Sequence, residues 1–217
     1  MFSRNMYNKT EEQISSDLQK HSINKYALQM IDMEYLAAQE AIESGMYVTF
    51  RNEEKKSDCF RIGSQSMCFC GHLFAEHPLK IVKARALTPC ANCICKSFKL
   101  TPRLPEETGM HWLSRRKNFV EGAWKASCKC KHNHIEHACN HPQMCKKCNC
   151  VGFNPDYGCV GCDRKWEDHD ILYESEQERR ILKKSIGKEF LPYAQNLEIQ
   201  QMVMKNLKTK TPHQKNQ

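Results

Sequence analysis

No apolar run in this sequence approaches the roughly 20 residues needed to cross a bilayer as a helix. The opening segment MFSRNMYNKTEEQ also lacks the apolar core of a secretory signal. Membrane spanning and secretion are therefore not expected, and the chain reads as intracellular. Hydrophobic types make up 40 % of the 217 residues and the mean hydropathy is −0.70, too little for one large apolar core. Catalytic signatures are missing as well. There is no H-E-x2-H, no H-x-E paired with P-C-x2-C, and no glycine-rich phosphate loop. No Ser-His-Asp set stands out, so an enzyme is not expected.

Cysteine is absent from the first 58 residues and the last 55, yet fourteen cysteines crowd between Cys59 and Cys162. In a reducing compartment that density points to metal rather than disulfides. The crowded segment repeats itself. C-x-C-x-H-x4-H occurs at Cys68 (CFCGHLFAEH) and again at Cys128 (CKCKHNHIEH). Each run is followed by C-x2-C-x-C-x2-F, at Cys90 and at Cys145. Two unlike motifs recurring in one order indicate an internal duplication. A third, partial copy, CVGCDRKWEDH, begins at Cys159. It keeps the step of seven from cysteine to histidine seen at Cys70/His77 and Cys130/His137, here Cys162/His169, but lacks the trailing C-x2-C-x-C.

Zinc prefers four tetrahedral thiolate and imidazole ligands, and it supplies folding energy where a core is small. C-x2-C places two thiolates on one ion around a tight turn. C-x-C on a strand presents two sulfurs to one side, and a short helix after it can swing His77, His137 or His169 back onto the ion. The expected ligands are Cys59, Cys68, Cys70, His77, Cys90, Cys93 and Cys95 in the first copy. The second supplies Cys128, Cys130, His137, Cys145, Cys148 and Cys150, and the third Cys159, Cys162 and His169. Sixteen ligands correspond to about four zinc ions (Zn2+) per chain. No copy's share divides by four, so at least two sites are expected to be shared between copies, welding them into one unit. The third copy is expected to take its fourth ligand from the second copy or from water. His72 and His132 are reserve ligands, because the third copy has Arg164 at that place. Cys139, His134 and His141 lack counterparts in the first copy and read as bystanders. The histidines argue against an iron–sulfur cluster, and the C-x-C opening and ligand order against a RING-type ligase.

Residues 1–57 read as an N-terminal helix and lead-in strand. Thr10 and Gln13 have capping-box spacing. Ile14, Leu18, Ile23, Ala27, Met30, Ala37 and Ala41 recur at helical period, interrupted by His21 and Glu34. Gly45 ends the helix and residues 46–51 form a strand. Residues 58–170 are the Cys/His repeat domain, with copies at 58–100, 118–153 and 154–170. Between the full copies, Pro102 and Pro105 mark a turn, Pro105 opens a short helix through Arg116, and EGAWKASCKC reads as a strand. Helices are expected over 171–208, from Tyr173 to Lys184 and from Ala194 to Lys208, divided by Gly187 and Pro192. Residues 209–217 read as a disordered basic tail. The fold class is small α+β, with tandem zinc-ribbon or knuckle-like modules, duplicated with a third partial copy and flanked by helices at both ends.

The segment DCFRIGSQSMCFCGH, the two C-x-C-x-H-x4-H runs, PEETG and CDRKWEDHDILYE resemble the proteins named family with sequence similarity 221, its B branch more than its A branch. The similarity runs from Met46 to Glu174, with a weaker echo at GKEFLPYA, and Cys139 departs from the family pattern. The resemblance implies a Cys-rich, zinc-binding, intracellular protein and brings no activity with it. The family is widespread in organisms with motile cilia, which implies an axonemal or cilium-linked place in the cytoplasm or cytoskeleton.

The expected function is that of a zinc-stabilised, non-enzymatic structural or adaptor protein. It would dock onto a larger protein assembly, with tubulin or other axonemal proteins as candidate partners and no membrane. The formal charge of +8 suggests the alternative, a zinc-finger RNA- or DNA-binding protein. Thirteen thiolates against four zinc ions would reduce that charge to about +3. The basic residues are also scattered: Arg115-Arg116-Lys117, Lys129 and Lys131, Lys146-Lys147, Arg179-Arg180, Lys183-Lys184 and the tail. Trp112, Trp124 and Trp166 read as core rather than as stacking platforms. Glu76, Glu136 and Asp168 each precede a motif histidine and read as charged residues on short exposed helices rather than as general bases.

Overall fold

Lys25–Ser44 form the long helix α1. Gly45 ends it with a left-handed φ of +68°, donating its N–H to the Ala41 carbonyl at 2.9 Å. The structure is a computed structural model that describes residues 25–52, 54, 58–82, 85–195 and 197. The capping box at Thr10, the apolar positions Ile14, Leu18 and Ile23, all of the expected last helix except residues 194, 195 and 197, and the basic tail lie outside those residues.

The chain continues as β1 (Met46–Asn52), β2 (Asp58–Arg61), β3 (Lys80–Val82), β4 (Arg85–Leu87) and β5 (His169–Ser175), then the helices α2 (Glu176–Ile181) and α3 (Pro192–Gln195). The architecture is small α+β. The main sheet has the order β2-β1-β5, antiparallel throughout, with Phe50 of β1 opposite Phe60 on one side and Ile171 on the other. The pair β3–β4 forms a small hairpin between His77 and Cys90.

Three expected elements come out differently. Tyr173 and Glu174, read as the start of a helix, belong to β5, because their backbone pairs with β1. The helix starts only after Ser175, whose Oγ accepts from the Glu178 N–H at 3.2 Å while Glu178 accepts from the Ser175 N–H at 2.7 Å. Pro105 opens one 3-10 turn, Pro105–Thr108, rather than a helix through Arg116. Glu107 holds that turn shut by folding back onto the N–H groups of Leu104 and Arg103. EGAWKASCKC is not a strand; it contributes only isolated bridges at Ser127 and Cys128.

The buried face of α1 includes Ala27, Met30, Ala37 and Ala41, as the periodicity predicts, and also Glu34. Glu34 interrupts the apolar stripe because it docks another element. Its carboxylate accepts from the N–H groups of Tyr193 at 2.8 Å and Ala194 at 2.9 Å, in the first turn of α3.

A buried ion network ties α2 to the sheet. Arg179, fully buried, donates to Glu174 of β5 at 2.6 Å and to Asp58 of β2 at 2.7 Å. Arg51 of β1 reaches the same two carboxylates at 2.7 Å each. One carboxylate per neighbouring strand, bridged by two guanidinium groups, satisfies the charges that burial would otherwise make costly. Arg179 is thereby removed from the surface charge that the sequence suggests. Trp166 is buried against Phe50 at 4.8 Å and Phe60 at 5.4 Å between centroids. Trp124 is half-buried, but Trp112, expected in the core, is 51 % exposed.

Candidate metal centre

Each C-x-C sits at a tight turn rather than on a strand. In the first copy Cys68 N–H donates to the His72 carbonyl at 2.8 Å and Gly71 N–H to the Cys68 carbonyl at 2.8 Å. In the second, Cys128 N–H donates to His132 at 2.9 Å and Lys131 N–H to Cys128 at 2.8 Å. The turn needs a left-handed residue at its corner, and Gly71 (φ +89°) and Lys131 (φ +71°) take it.

The following element is a single 3-10 turn in all three copies: Phe74–Glu76, His134–Glu136 and Trp166–Asp168. It delivers His77, His137 and His169 with one ring orientation. Nδ1 of each bonds a carbonyl four residues back: Leu73 at 2.8 Å, Asn133 at 2.9 Å and Lys165 at 2.9 Å. Nε2 is left facing a sulfur, as in metal sites where a carbonyl orients the ligating imidazole. Glu76 and Glu136 complete the turn by accepting from the N–H groups of Leu73 at 2.7 Å and Asn133 at 3.0 Å. They brace the residues whose carbonyls orient the histidines. The final Phe of each motif packs edge-on to the same ring, Phe98 on His77 at 5.3 Å and Phe153 on His137 at 5.1 Å.

These turns gather the ligand types into five groups of four, within each of which the ligand atoms lie within 4.8 Å of one another. Cys68, Cys70, His77 and Cys95 form one, and Cys70, His72, Cys90 and Cys93 a second. The other copy repeats the pattern with Cys128, Cys130, His137 and Cys150, then Cys130, His132, Cys145 and Cys148. The fifth is Cys59, Cys159, Cys162 and His169. All sixteen residues singled out in the sequence fall in these groups, joined by His72 and His132. The arrangement differs from the sequence reading in three ways. Among the described residues there are five groups rather than about four. Four of them lie inside a copy, and Cys70 and Cys130 each belong to two. The partner of the third copy is Cys59, from the start of the first copy, so one group rather than at least two is shared between copies, and neither the second copy nor water is needed. The sheet explains this: β2 carries Cys59 and β5 begins with His169, on either side of β1, and Phe50 of β1 stacks on His169 at 4.6 Å.

The spacing within the groups fits a tetrahedral ion. Zinc–sulfur bonds of about 2.3 Å put two sulfurs about 3.8 Å apart, and a sulfur and a nitrogen about 3.6 Å apart, whereas a disulfide holds its sulfurs at about 2.05 Å. The sulfurs of Cys68 and Cys95, and of Cys128 and Cys150, are 4.0 Å apart. Cys70 Sγ lies 3.5 Å from both His77 Nε2 and His72 Nδ1. Cys130 Sγ lies 3.6 Å from both His137 Nε2 and His132 Nδ1, and Cys162 Sγ 3.2 Å from His169 Nε2. Backbone N–H groups point at the outer sulfurs, Lys99 at Cys68 and Asn92 at Cys90 at 3.4 Å, with Asn154 at Cys128 at 3.2 Å.

Crowding divides the protons unequally among the thiols. The hydrogen bond from Cys159 chiefly, with His169 adding to it against burial, brings Cys59 down to about 5; the same bond, with burial, pushes Cys159 up. Burial pushes Cys68 up to about 12. A second anion beside the first is disfavoured in such a site, and a dication reverses that balance.

Cys139 belongs to none of the five groups. It lines a cleft of about 620 Å³ between the copies, with Phe69, Phe98 and Phe153. His134 is buried against Phe69, its ring centroid 5.7 Å away, and burial brings it down to about 4. The signal that could have promoted His72 and His132 was in the sequence: they occur only in copies that also carry C-x2-C-x-C, whose cysteines complete their groups.

The family described as Protein FAM221A/B matches residues 32–209. Protein FAM221B of Rattus norvegicus is 41 % identical over 152 residues, covering 68 % of this chain and 29 % of its own length. Protein FAM221B of Homo sapiens is 42 % identical over 148 residues, 66 % of this chain and 36 % of its own. Protein FAM221A of Xenopus laevis is 30 % identical over 160 residues, 70 % of this chain and 48 % of its own. The matched stretch thus spans less than half of these relatives. No solved structure matches.

Proposed function

The chain is a member of the FAM221 family, nearer its B branch, and from the geometry of its Cys/His groups we propose that it is a zinc-stabilised, non-enzymatic scaffold that docks onto a larger protein assembly. The observation that carries this reading is that every group is complete with four thiol and imidazole ligands. A catalytic zinc keeps one position open for water, and four side-chain ligands leave none. The engagement of Glu76 and Glu136 with backbone N–H groups supports a bracing role for them rather than that of general bases. Zinc held in knuckle-like turns supplies the folding energy that the low apolar content does not.

The docking surface in this reading is the exposed run Arg115, Arg116 and Lys117, with the exposed Trp112 ring 4.8 Å beneath Arg116. A basic patch with an aromatic anchor suits an acidic protein lattice, of which a microtubule in a cilium is the proposed case. The same patch favours one second reading, stacking on single-stranded nucleic acid.

Co-sedimentation of the full chain with microtubules over a salt series tests the proposal. Binding should fall with salt. Joint replacement of Arg115, Arg116 and Lys117 by Ala should weaken it about tenfold with zinc content unchanged. Glu76→Gln, Glu136→Gln and Asp168→Asn should change neither. If that second set abolished a measurable turnover while zinc and fold survived, a hydrolytic function would replace the scaffold. Tight, sequence-selective binding to RNA or DNA would move the conclusion to nucleic acid.

A further inference from the structure

We infer that each full copy holds a pair of zinc ions joined by one shared thiolate, Cys70 in the first and Cys130 in the second, so that the chain carries five ions and two bridged pairs. This rests on the metal reading above and adds to it how the ions are arranged.

The ligand count in each copy is the first support. Two tetrahedra sharing one corner need seven ligands. Cys68, Cys70, His72, His77, Cys90, Cys93 and Cys95 make seven, and so do their counterparts Cys128, Cys130, His132, His137, Cys145, Cys148 and Cys150. Geometry supplies the second support. The sulfur of Cys70 is 3.5 Å from a histidine nitrogen of each of its groups, and that of Cys130 is 3.6 Å from each of its two. One sulfur thus sits at tetrahedral-edge distance from both ligand sets. The two imidazoles use opposite nitrogens, Nδ1 for the histidine two residues on and Nε2 for the one seven on, and so approach the shared sulfur from different turns.

Charge points the same way. Five thiolates with one dication leave three negative charges in a small volume; with two dications only one remains. The third copy is the internal control. It has Arg164 where the others have His72 and His132, lacks the trailing C-x2-C-x-C, and forms a single group. The second ion's ligands are missing together.

Elemental analysis and native mass spectrometry of the full chain, purified without chelator, should give five zinc ions. Three ions, one per copy, would overturn the bridge and leave the metal reading standing; none would overturn both. Cadmium-exchanged protein then tests the bridge in the unaltered chain, because NMR correlates each cysteine Hβ with the cadmium it binds. Cys70 and Cys130 should each correlate with two cadmium resonances, and Cys68 and Cys90 with one. A single correlation for Cys70 and Cys130 would overturn the inference. Cys70→Ala should cost the first copy two ions and Cys90→Ala one; equal losses in a folded protein would count against a shared thiolate.

Discussion

Gly71 and Lys131 hold the same corner in two copies of one turn, both with positive φ. The backbone conformation there is free for glycine and costs a lysine on the order of 1 kcal/mol. Lys131→Gly should therefore stabilise the second copy by up to about 1 kcal/mol, read as a higher chelator concentration at the unfolding midpoint. Gly71→Ala should destabilise the first copy by about as much or more, since its Cβ would also stand 3.1 Å from Ile135 Cδ1. If the two substitutions shifted the midpoint in the same direction, the equivalence of the corners would be wrong.

Between elements, buried carboxylates act as fasteners, and Glu34 joins α1 to α3. Burial chiefly pushes its carboxyl up from 4.5 to about 7, although the N–H groups of Tyr193 and Ala194 work against that. A raised folded-state value means the native state holds the proton more tightly. The contribution of Glu34 is then complete below about pH 4.5 and is lost as pH rises through about 7, amounting to about 3 kcal/mol. Glu107, raised to about 7 by burial, acts with the same sign. Metal binding runs the other way, because thiols must lose their protons. The check is therefore a difference between proteins: from about pH 5 to pH 8, the wild type should lose stability relative to Glu34→Gln. A constant difference across that range would remove Glu34 as the source.

At the scale of the molecule, the copies are joined by side chains as well as by Cys59. Asn140 of the second copy accepts from the Lys96 N–H and donates to the Ile94 carbonyl, each at 2.9 Å. Phe69 packs edge-on to Phe153 at 4.9 Å. Trp166 of the third copy donates to the Leu100 carbonyl at 3.3 Å. On the N-terminal part of α1, Ala27, Met30 and Ile31 share one core with Cys59, Cys68, Cys95 and Trp166. Removal of metal by a strong chelator should therefore loosen α1 together with the Cys/His region. Far-ultraviolet circular dichroism should show helix signal falling in the same transition as Trp166 fluorescence. A helix signal that survives the fluorescence change would show α1 to be an independent unit. No described helix is long and apolar enough to cross a membrane.

The ligand types, the duplication and the delivery of each histidine by one short turn were legible in the sequence, because all of them are set within about ten residues of chain. The turn that brings Cys70 toward His77 repeats at Cys130/His137 and Cys162/His169, and local sterics and hydrogen bonds suffice to build it. The pairing of Cys59 with Cys159, a hundred residues away, was not legible, because it follows from β2 and β5 flanking β1. Nor was the start of α2, since residues 173–174 gain more from the backbone ladder with β1 than from helix propensity. Glu34 looked like a flaw in an apolar stripe until α3 folded against it, and Arg179 looked like surface charge until two carboxylates from neighbouring strands surrounded it. In each case at least one partner lies on a distant segment, as Asp58 does for Arg179, and only the folded chain brings the two within bonding distance.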